Sequence, residues 1–180
     1  ARPPPPRDQP RPGDAGPARP LPAAPRGAVL AALLAVGLEH ADPSLLERAA
    51  GALDGLAPLV PPMIAGEALH LAFPDPSAAA VAAGRLAAAG GGALRIAGHY
   101  GVAVQVEAPF GGPPALIGAP TGLAPHLLAS TPPGAIHVSE AFAATLHSRA
   151  DLQPGATAAV GELVRHGRAV ELYALTPPTA

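Results

Sequence analysis

Residues 94–109 read LRIAGHYGVAVQVEAP, and this stretch decides the fold that the sequence predicts. Apolar residues dominate 94–97 and 102–106, a pattern that is typical of two short β-strands. Between them, residues 98–101 read GHYG, and glycines at both ends of such a tetrapeptide indicate a hairpin turn. The middle of the chain is therefore expected to hold an antiparallel strand pair.

The residues before this stretch predict three further strands and two helices. A continuous apolar run is typical of a strand that is buried on both faces. Asp42 followed by Pro43 favours a helix start, because Asp accepts hydrogen bonds from the first turn and Pro needs no donor there. The predicted strands are 27–36, 59–64 and 68–73, and the last two lie on either side of Gly66-Glu67. The first predicted helix runs from Asp42 to near Pro58. The second begins at Asp75 or Ser77 and ends at about residue 89.

The residues after the stretch continue this alternation. The predicted helices are one at 121–129, capped by Thr121, and one that Ser139 caps. A strand at 135–138 lies between them. Two last strands, at 156–164 and 169–175, are joined by a turn at His166-Gly167. Helices and strands interleave, but tight turns join several neighbouring strands. We therefore predict an α+β fold, a ferredoxin-like sandwich with a mostly antiparallel sheet, and not a doubly wound parallel sheet.

The composition excludes several kinds of site. The chain has no Cys, and the printed sequence contains no Lys and no Asn. These absences exclude disulfides, thiolate nucleophiles, Cys-ligated zinc, a P-loop and a Schiff base. No two of the seven His residues stand four apart on a predicted helix, so a local zinc motif is not expected. A net charge of −2 gives no reason to expect a nucleic-acid partner.

Residues 1–26 differ in composition from the rest of the chain. They are rich in Pro and Arg and offer little to bury, so we expect a disordered arm or a linker to an upstream domain. A second interpretation is that ARPPPPR and RPLPAAPR are polyproline ligands for aromatic grooves. The predicted organisation is this arm, a domain over 27–176 and a tail at 177–180.

The predicted domain has a thin core and no predicted membrane segment. About half of its hydrophobic residues are Ala, which favours burial of a face against a partner. The apolar run at 28–38 is shorter than the ~20 residues that a membrane-spanning helix needs. A cytoplasmic location is the resulting expectation.

Several segments together resemble the catalytic domain of class III adenylate/guanylate cyclases. LRIAGHYGVAVQVEAP is similar to the family's "LRIGIHTGEVV" hairpin, and GAPTGLAPHLLASTPPGAIHVSEAFAATL to its "N-x-A-A-R" helix and "PPG-x-I-x-VSE" exit. IAGEALHLAFPDPSAAAVAA resembles the "GDG-x-x-A-x-F" hairpin with its following helix, and GELVRHGRAVELYAL the closing hairpin. The resemblance covers about residues 27–176 and implies the family's fold.

The metal-binding positions of the family are degenerate in this chain. In the family, two Asp hold the two metal ions that activate a ribose 3′-hydroxyl for attack on the α-phosphate. The resemblance places the first at Leu33, or at its neighbours Leu34 and Ala35, and the second at Glu67. A hard cation held by one carboxylate is expected to bind weakly, so Glu67 is only a weak metal candidate.

The positions that stabilise the transition state in the family are also changed. The resemblance places the ribose-orienting Asn at Gly122 and the phosphate-binding Arg at His126. A protonated His can donate to phosphate but lacks the bidentate guanidinium fork. The base-reading Lys falls near Met63, which carries no donor.

The resemblance and these losses together predict a pseudoenzyme, a cyclase-like domain with a signalling, regulatory or dimerisation role. A homodimer, or a pairing with another cyclase-like chain, is the expected assembly, and no cofactor is expected. The alternative is a divergent cyclase that forms a cyclic nucleotide from ATP or GTP with Mg or Mn held at Glu67 and with His126 at the phosphate.

Overall fold

In a computed structural model of the chain, residues 27–38, 42–107, 111–149, 156–165 and 167–177 are described. The strands are β1 Ala28–Gly37, β2 Met63–Ala65, β3 Ala68–Phe73, β4 Ile96–Val106, β5 Ala115–Gly118, β6 Ile136–Ser139, β7 Ala156–Arg165 and β8 Arg168–Thr176. The helices are α1 Pro43–Ala52, α2 Pro76–Gly90, α3 Ala119–Ser130 and α4 Glu140–Ser148. The predicted arm at 1–26 lies outside the described residues.

All eight strands belong to one sheet. Its order is β2-β3-β1-β4-β6-β8-β7, and β5 pairs with the second half of β4. All pairings are antiparallel except that of β4 with β6, which is parallel. The predicted α+β class with a mostly antiparallel sheet is confirmed.

Helices cover both faces of the sheet, but unequally. Alternate residues of a strand point to opposite faces, so β1 contributes to two cores. Leu34 packs with α1, α2 and α4 through residues such as Leu86 and Phe142. Leu33 packs on the other face with Leu127 of α3. We call these the three-helix face and the α3 face.

Local capping signals in the sequence are borne out in three helices. The Asp42 carboxylate accepts from the Leu45 N–H at 2.7 Å, which fixes the start of α1. Asp75, and not Ser77, caps α2, because its carboxylate accepts from the Ser77 and Ala78 N–H groups at 2.8 and 3.0 Å. Ser139 caps α4 as predicted.

The predicted turn at 98–101 is wrong. β4 runs straight through it as one strand of 11 residues, Ile96–Val106. The glycines provide space: a Cβ on Gly98 would lie 3.1 Å from Val138 Cγ1 and 3.2 Å from Leu34 Cδ2. A strand pair does exist here, but it joins β4 to β5, a strand that the sequence analysis missed.

Other boundaries also differ from prediction. α3 begins at Ala119, and Thr121 is not its cap, since its hydroxyl donates to the Gly118 carbonyl at 2.7 Å. α1 ends at Ala52, well before Pro58. β2 is shorter than predicted because Pro61 and Pro62 precede it without backbone donors. None of the described helices is long and apolar enough to cross a membrane.

Candidate functional site

The first predicted metal position is buried among apolar side chains. Leu33 is 4% exposed and lies on the α3 face of β1, in one cluster with Ala72 and Leu127. Leu34 points to the three-helix face and is fully buried, and Ala35 is fully buried on the α3 face. None of the three side chains has an oxygen or nitrogen that could bind a cation.

Glu67 lies in the turn that joins β2 to β3, and it is exposed. Its carbonyl accepts from the Leu38 N–H at 2.7 Å, which fixes the turn against the end of β1. Leu33 pairs with Ala72, five residues further along β3, so it lies about 17 Å along the strand from the level of Glu67. The structure therefore does not bring Leu33 and Glu67 together, and the residue across from Glu67 is Leu38.

The position predicted for base reading is apolar and open. Met63 is 56% exposed at the start of β2 and stands directly across from His70 of β3, on the α3 face. Burial lowers the pKa of His70, which favours its neutral form. A thioether beside a neutral imidazole can pack against an aromatic base but supplies no charged donor.

Gly122 and His126 stand one turn apart on α3. The helix packs on the sheet through its buried Ala124, Leu127 and Leu128, which leaves His126 exposed and Gly122 half-buried. Pro125, between them, has no N–H to donate within the helix. The helix thus presents an imidazole to solvent at the position where the resemblance places the family's Arg.

A further polar contact connects β4 to α4. His99 Nδ1 lies 2.7 Å from Ser139 Oγ, and the same hydroxyl oxygen accepts from the Phe142 N–H at 3.4 Å. Burial lowers the pKa of His99, which favours a neutral ring. A hydroxyl that already accepts from a helix N–H can donate its proton to such a ring, so one hydroxyl links β4 to the start of α4.

His137 is a half-buried residue that the sequence analysis did not single out. It lies on the α3 face of β6, across from Ala97 and Ala174, and its Nδ1 is buried without a hydrogen-bond partner. Burial lowers its pKa. The signal in the sequence was weak, since one His in an apolar strand is usually a core residue.

Two further observations limit what the site can hold. Within the described ranges, no group of three or more His, Asp or Glu side chains is arranged to hold a metal ion. One cavity opens between α1 and β3, and all its lining residues are apolar: Leu53, Leu56, Pro58, Pro62, Leu71 and Phe73. Its lining side chains offer no donor to a phosphate.

The architecture matches solved cyclase catalytic domains. The adenylyl cyclase CyaB from P. aeruginosa superposes with a TM-score of 0.65 at 13% identity, over 85% of this chain and 96% of that one. The guanylate cyclase domain of RhGC from Catenaria anguillulae, in complex with GTP, gives 0.67 at 13% identity, over 86% and 100%. The chain has the cyclase fold.

A third structure is the adenylate/guanylate cyclase/hydrolase from Silicibacter pomeroyi, which is 18% identical to this chain, the highest identity of these three. It superposes with a TM-score of 0.64, over 84% of this chain and 99% of that one. No protein-family model matches the sequence, and no curated protein matches it significantly. The cyclase fold that the resemblance implied is thus confirmed by the architecture, while the roles of individual residues stay predictions.

Proposed function

We propose that this chain is a cyclase-fold domain that does not form cyclic nucleotides and acts as a signalling, regulatory or dimerisation module. The observation that carries the proposal is that, among the described residues at the predicted metal positions, no second carboxylate accompanies Glu67. It is the one acidic residue at the predicted metal positions, and the residue across from it is Leu38 rather than Leu33. Two-metal chemistry needs several oxygen ligands around each ion.

The other half of the expected site supports the same conclusion. Gly122 has no side chain to orient a ribose, and His126 has no guanidinium fork to hold the phosphate in its transition state. Loss of a single oriented donor in an electrostatic site typically costs on the order of 10²–10³ in rate. Several such losses together leave no measurable cyclisation.

We propose that the domain pairs with a second cyclase-fold chain, as a homodimer or a heterodimer. One neighbour in fold is the non-canonical dimeric guanylyl cyclase domain of the RhoGC fusion protein from Blastocladiella emersonii, with a TM-score of 0.66 at 11% identity. The Ala-rich core supports pairing, because short side chains bury little area within one subunit. In such a pair this chain supplies neither a complete set of metal ligands nor an Asn and an Arg at the positions where the resemblance places them.

The test is product formation by the purified chain with Mn-ATP and Mn-GTP, read by mass spectrometry beside an active cyclase as positive control. No cyclic nucleotide at high protein concentration is the expected result. Cyclic product that disappears in Glu67→Ala and falls in His126→Ala would overturn the proposal in favour of a divergent cyclase that uses Mg or Mn. Sedimentation velocity on the same samples tests the assembly, and a monomer at all concentrations would contradict the homodimer.

A further inference from the structure

A cavity of about 160 Å³ lies on the three-helix face, between the end of α1 and β3. Its floor is formed by Leu71 and Phe73 of β3, which are 2% and 1% exposed and belong to the main core. The other lining residues belong to the segment that joins α1 to β2: Leu53, Leu56, Pro58 and Pro62. Pro62 is exposed and the other three are half-buried, so the cavity is closed at its floor and open at its rim.

Hydrogen bonds hold the wall of this cavity at both ends. The Arg85 guanidinium of α2 donates through Nη1 to the Asp54 carbonyl at 3.1 Å, which fixes the turn after α1 against α2. The Leu59 N–H donates to the Ala72 carbonyl at 2.7 Å, which fixes the rest of the segment against β3. The two prolines of the wall also have restricted φ angles. The wall cannot close onto the floor without breaking these bonds, so we expect the cavity to keep its volume.

The residues around the cavity present no hydrogen-bond donor to it. In the wall, the N–H groups of Leu53 and Leu56 each donate at 3.0 Å to the carbonyl three residues earlier, and the prolines have no N–H. In the floor, the Ala72 carbonyl points to the wall, so the N–H groups of Leu71 and Phe73 on either side point to β1. An anion or another hydrogen-bond acceptor would lose its hydration here without replacement.

The size and the lining of the cavity favour a small apolar ring. A cavity of about 150 Å³ in another protein, lined by Leu, Ile and Phe side chains, binds benzene or xenon. The cavity described here has a similar volume and is lined by Leu, Pro and Phe side chains. Pockets for drug-sized ligands are larger, about 300–1,000 Å³. The buried ring of Phe73 can also make an edge-to-face contact with an aromatic ligand.

We propose that this cavity is a binding site for a single uncharged apolar ring of the size of benzene or toluene. The ring lies on Leu71 and Phe73 beneath the turn that follows α1. The inference goes beyond the proposed function and does not depend on it, because the cavity lies on the sheet face opposite α3, Leu33 and Met63. A ligand bound there joins the segment before β2 to β3 and stabilises the folded chain.

Benzene titrated into the full chain tests the site through methyl spectra. We expect saturable shift changes at Leu53, Leu56 and Leu71, with nuclear Overhauser effects between benzene and the same methyl groups. Leu127 and Ile117 are controls, since one is fully buried in the other core and the other is 59% exposed on β5. Their signals are expected to stay in place. Benzoate, the same ring with a carboxylate, is expected not to bind.

A matched pair of substitutions tests the position of the ligand. The Leu71 side chain is 2% exposed and cannot turn to solvent, so the larger ring in Leu71→Phe has to enter the cavity. We expect this variant to bind benzene about tenfold more weakly or less. Leu46→Phe is the control, because Leu46 is 38% exposed on α1 and lies outside the cavity. It is expected to keep the affinity of the parent chain.

Three results would overturn the proposal. The first is the absence of saturable shift changes up to the solubility limit of benzene. The second is a response of Leu127 or Ile117 equal to that of the lining methyl groups, or binding of benzoate as tight as that of benzene. The third is unchanged affinity in a folded Leu71→Phe chain. If Leu71→Phe does not fold, the Overhauser effects in the unaltered chain decide, and their absence at the three lining leucines would overturn the site.

Discussion

The Nδ1 atom of His99 lies 2.7 Å from the Oγ atom of Ser139, and this contact ties the centre of β4 to the start of α4. The two residues are 40 positions apart in the chain. Ser139 is 1% exposed and also accepts from the Phe142 N–H, so one hydroxyl serves the sheet and the helix together. Buried polar groups of this kind stabilise a fold only while every partner is present.

Ser139→Ala is expected to lower the free energy of unfolding by about 1–2 kcal/mol, because it removes a helix cap and leaves His99 Nδ1 without its partner. Urea unfolding followed by circular dichroism measures the change. Ser148→Ala is the matched control on the same helix, since its exposed hydroxyl only donates to the Thr145 carbonyl at the C-terminal end. Equal effects of the two substitutions would contradict the role given to Ser139.

Stability is expected to fall as the pH is lowered below neutrality. Burial depresses the pKa of His99, His70 and His137 in the folded chain below 6.5. The unfolded chain therefore binds protons more readily, and the stability present above pH 6.5 is lost progressively as pH falls toward the folded-state pKa values. The urea midpoint between about pH 7.5 and 5.5 measures this loss.

His99→Gln separates the part of that pH dependence that belongs to one residue. The variant lacks the titrating group, so the fall in midpoint with pH is expected to be shallower than in the parent chain, though not abolished. The comparison rests on the slope, since the substitution also alters packing at every pH. A slope unchanged from that of the parent would show that His99 is not coupled to folding.

Gly98→Ala tests whether 98–101 is a packed strand. The new Cβ would lie 3.1–3.2 Å from Val138, Leu34 and Phe142, so we expect a loss of about 1–3 kcal/mol in unfolding free energy. Gly51→Ala in α1 is the control, because a Cβ there meets nothing within 4 Å and alanine favours the helix by roughly 0.5–1 kcal/mol. A neutral Gly98→Ala would favour the turn that the sequence predicted.

Asp75→Ala and Ser77→Ala form a second matched pair. The Asp75 carboxylate accepts two N–H groups at the start of α2, so its loss is expected to cost about 1 kcal/mol of stability. The Ser77 hydroxyl is buried without a partner, so its removal is expected to be neutral or slightly stabilising. Thermal unfolding of both variants measures the difference, and a larger loss for Ser77→Ala would reverse the assignment of the cap.

The candidate site could be predicted only in part. The degenerate residues at Leu33, Glu67, Gly122 and His126 follow from the resemblance, and the fold that it implied is confirmed. The offset of Leu33 from the level of Glu67, about 17 Å along the strand, was not predictable, because it depends on the register of β1 against β3. His137 was missed for a similar reason: which face of a strand is covered depends on elements distant in sequence.

The sequence by itself determined the α+β class and the starts of three helices. Those signals are local, because Asp42, Asp75 and Ser139 each satisfy N–H groups within three residues. Only the tertiary structure decided that GHYG is the middle of a strand. Its first glycine, Gly98, allows β4 to pack closely against side chains that are 40 or more residues away, and no local pattern distinguishes that use from a turn.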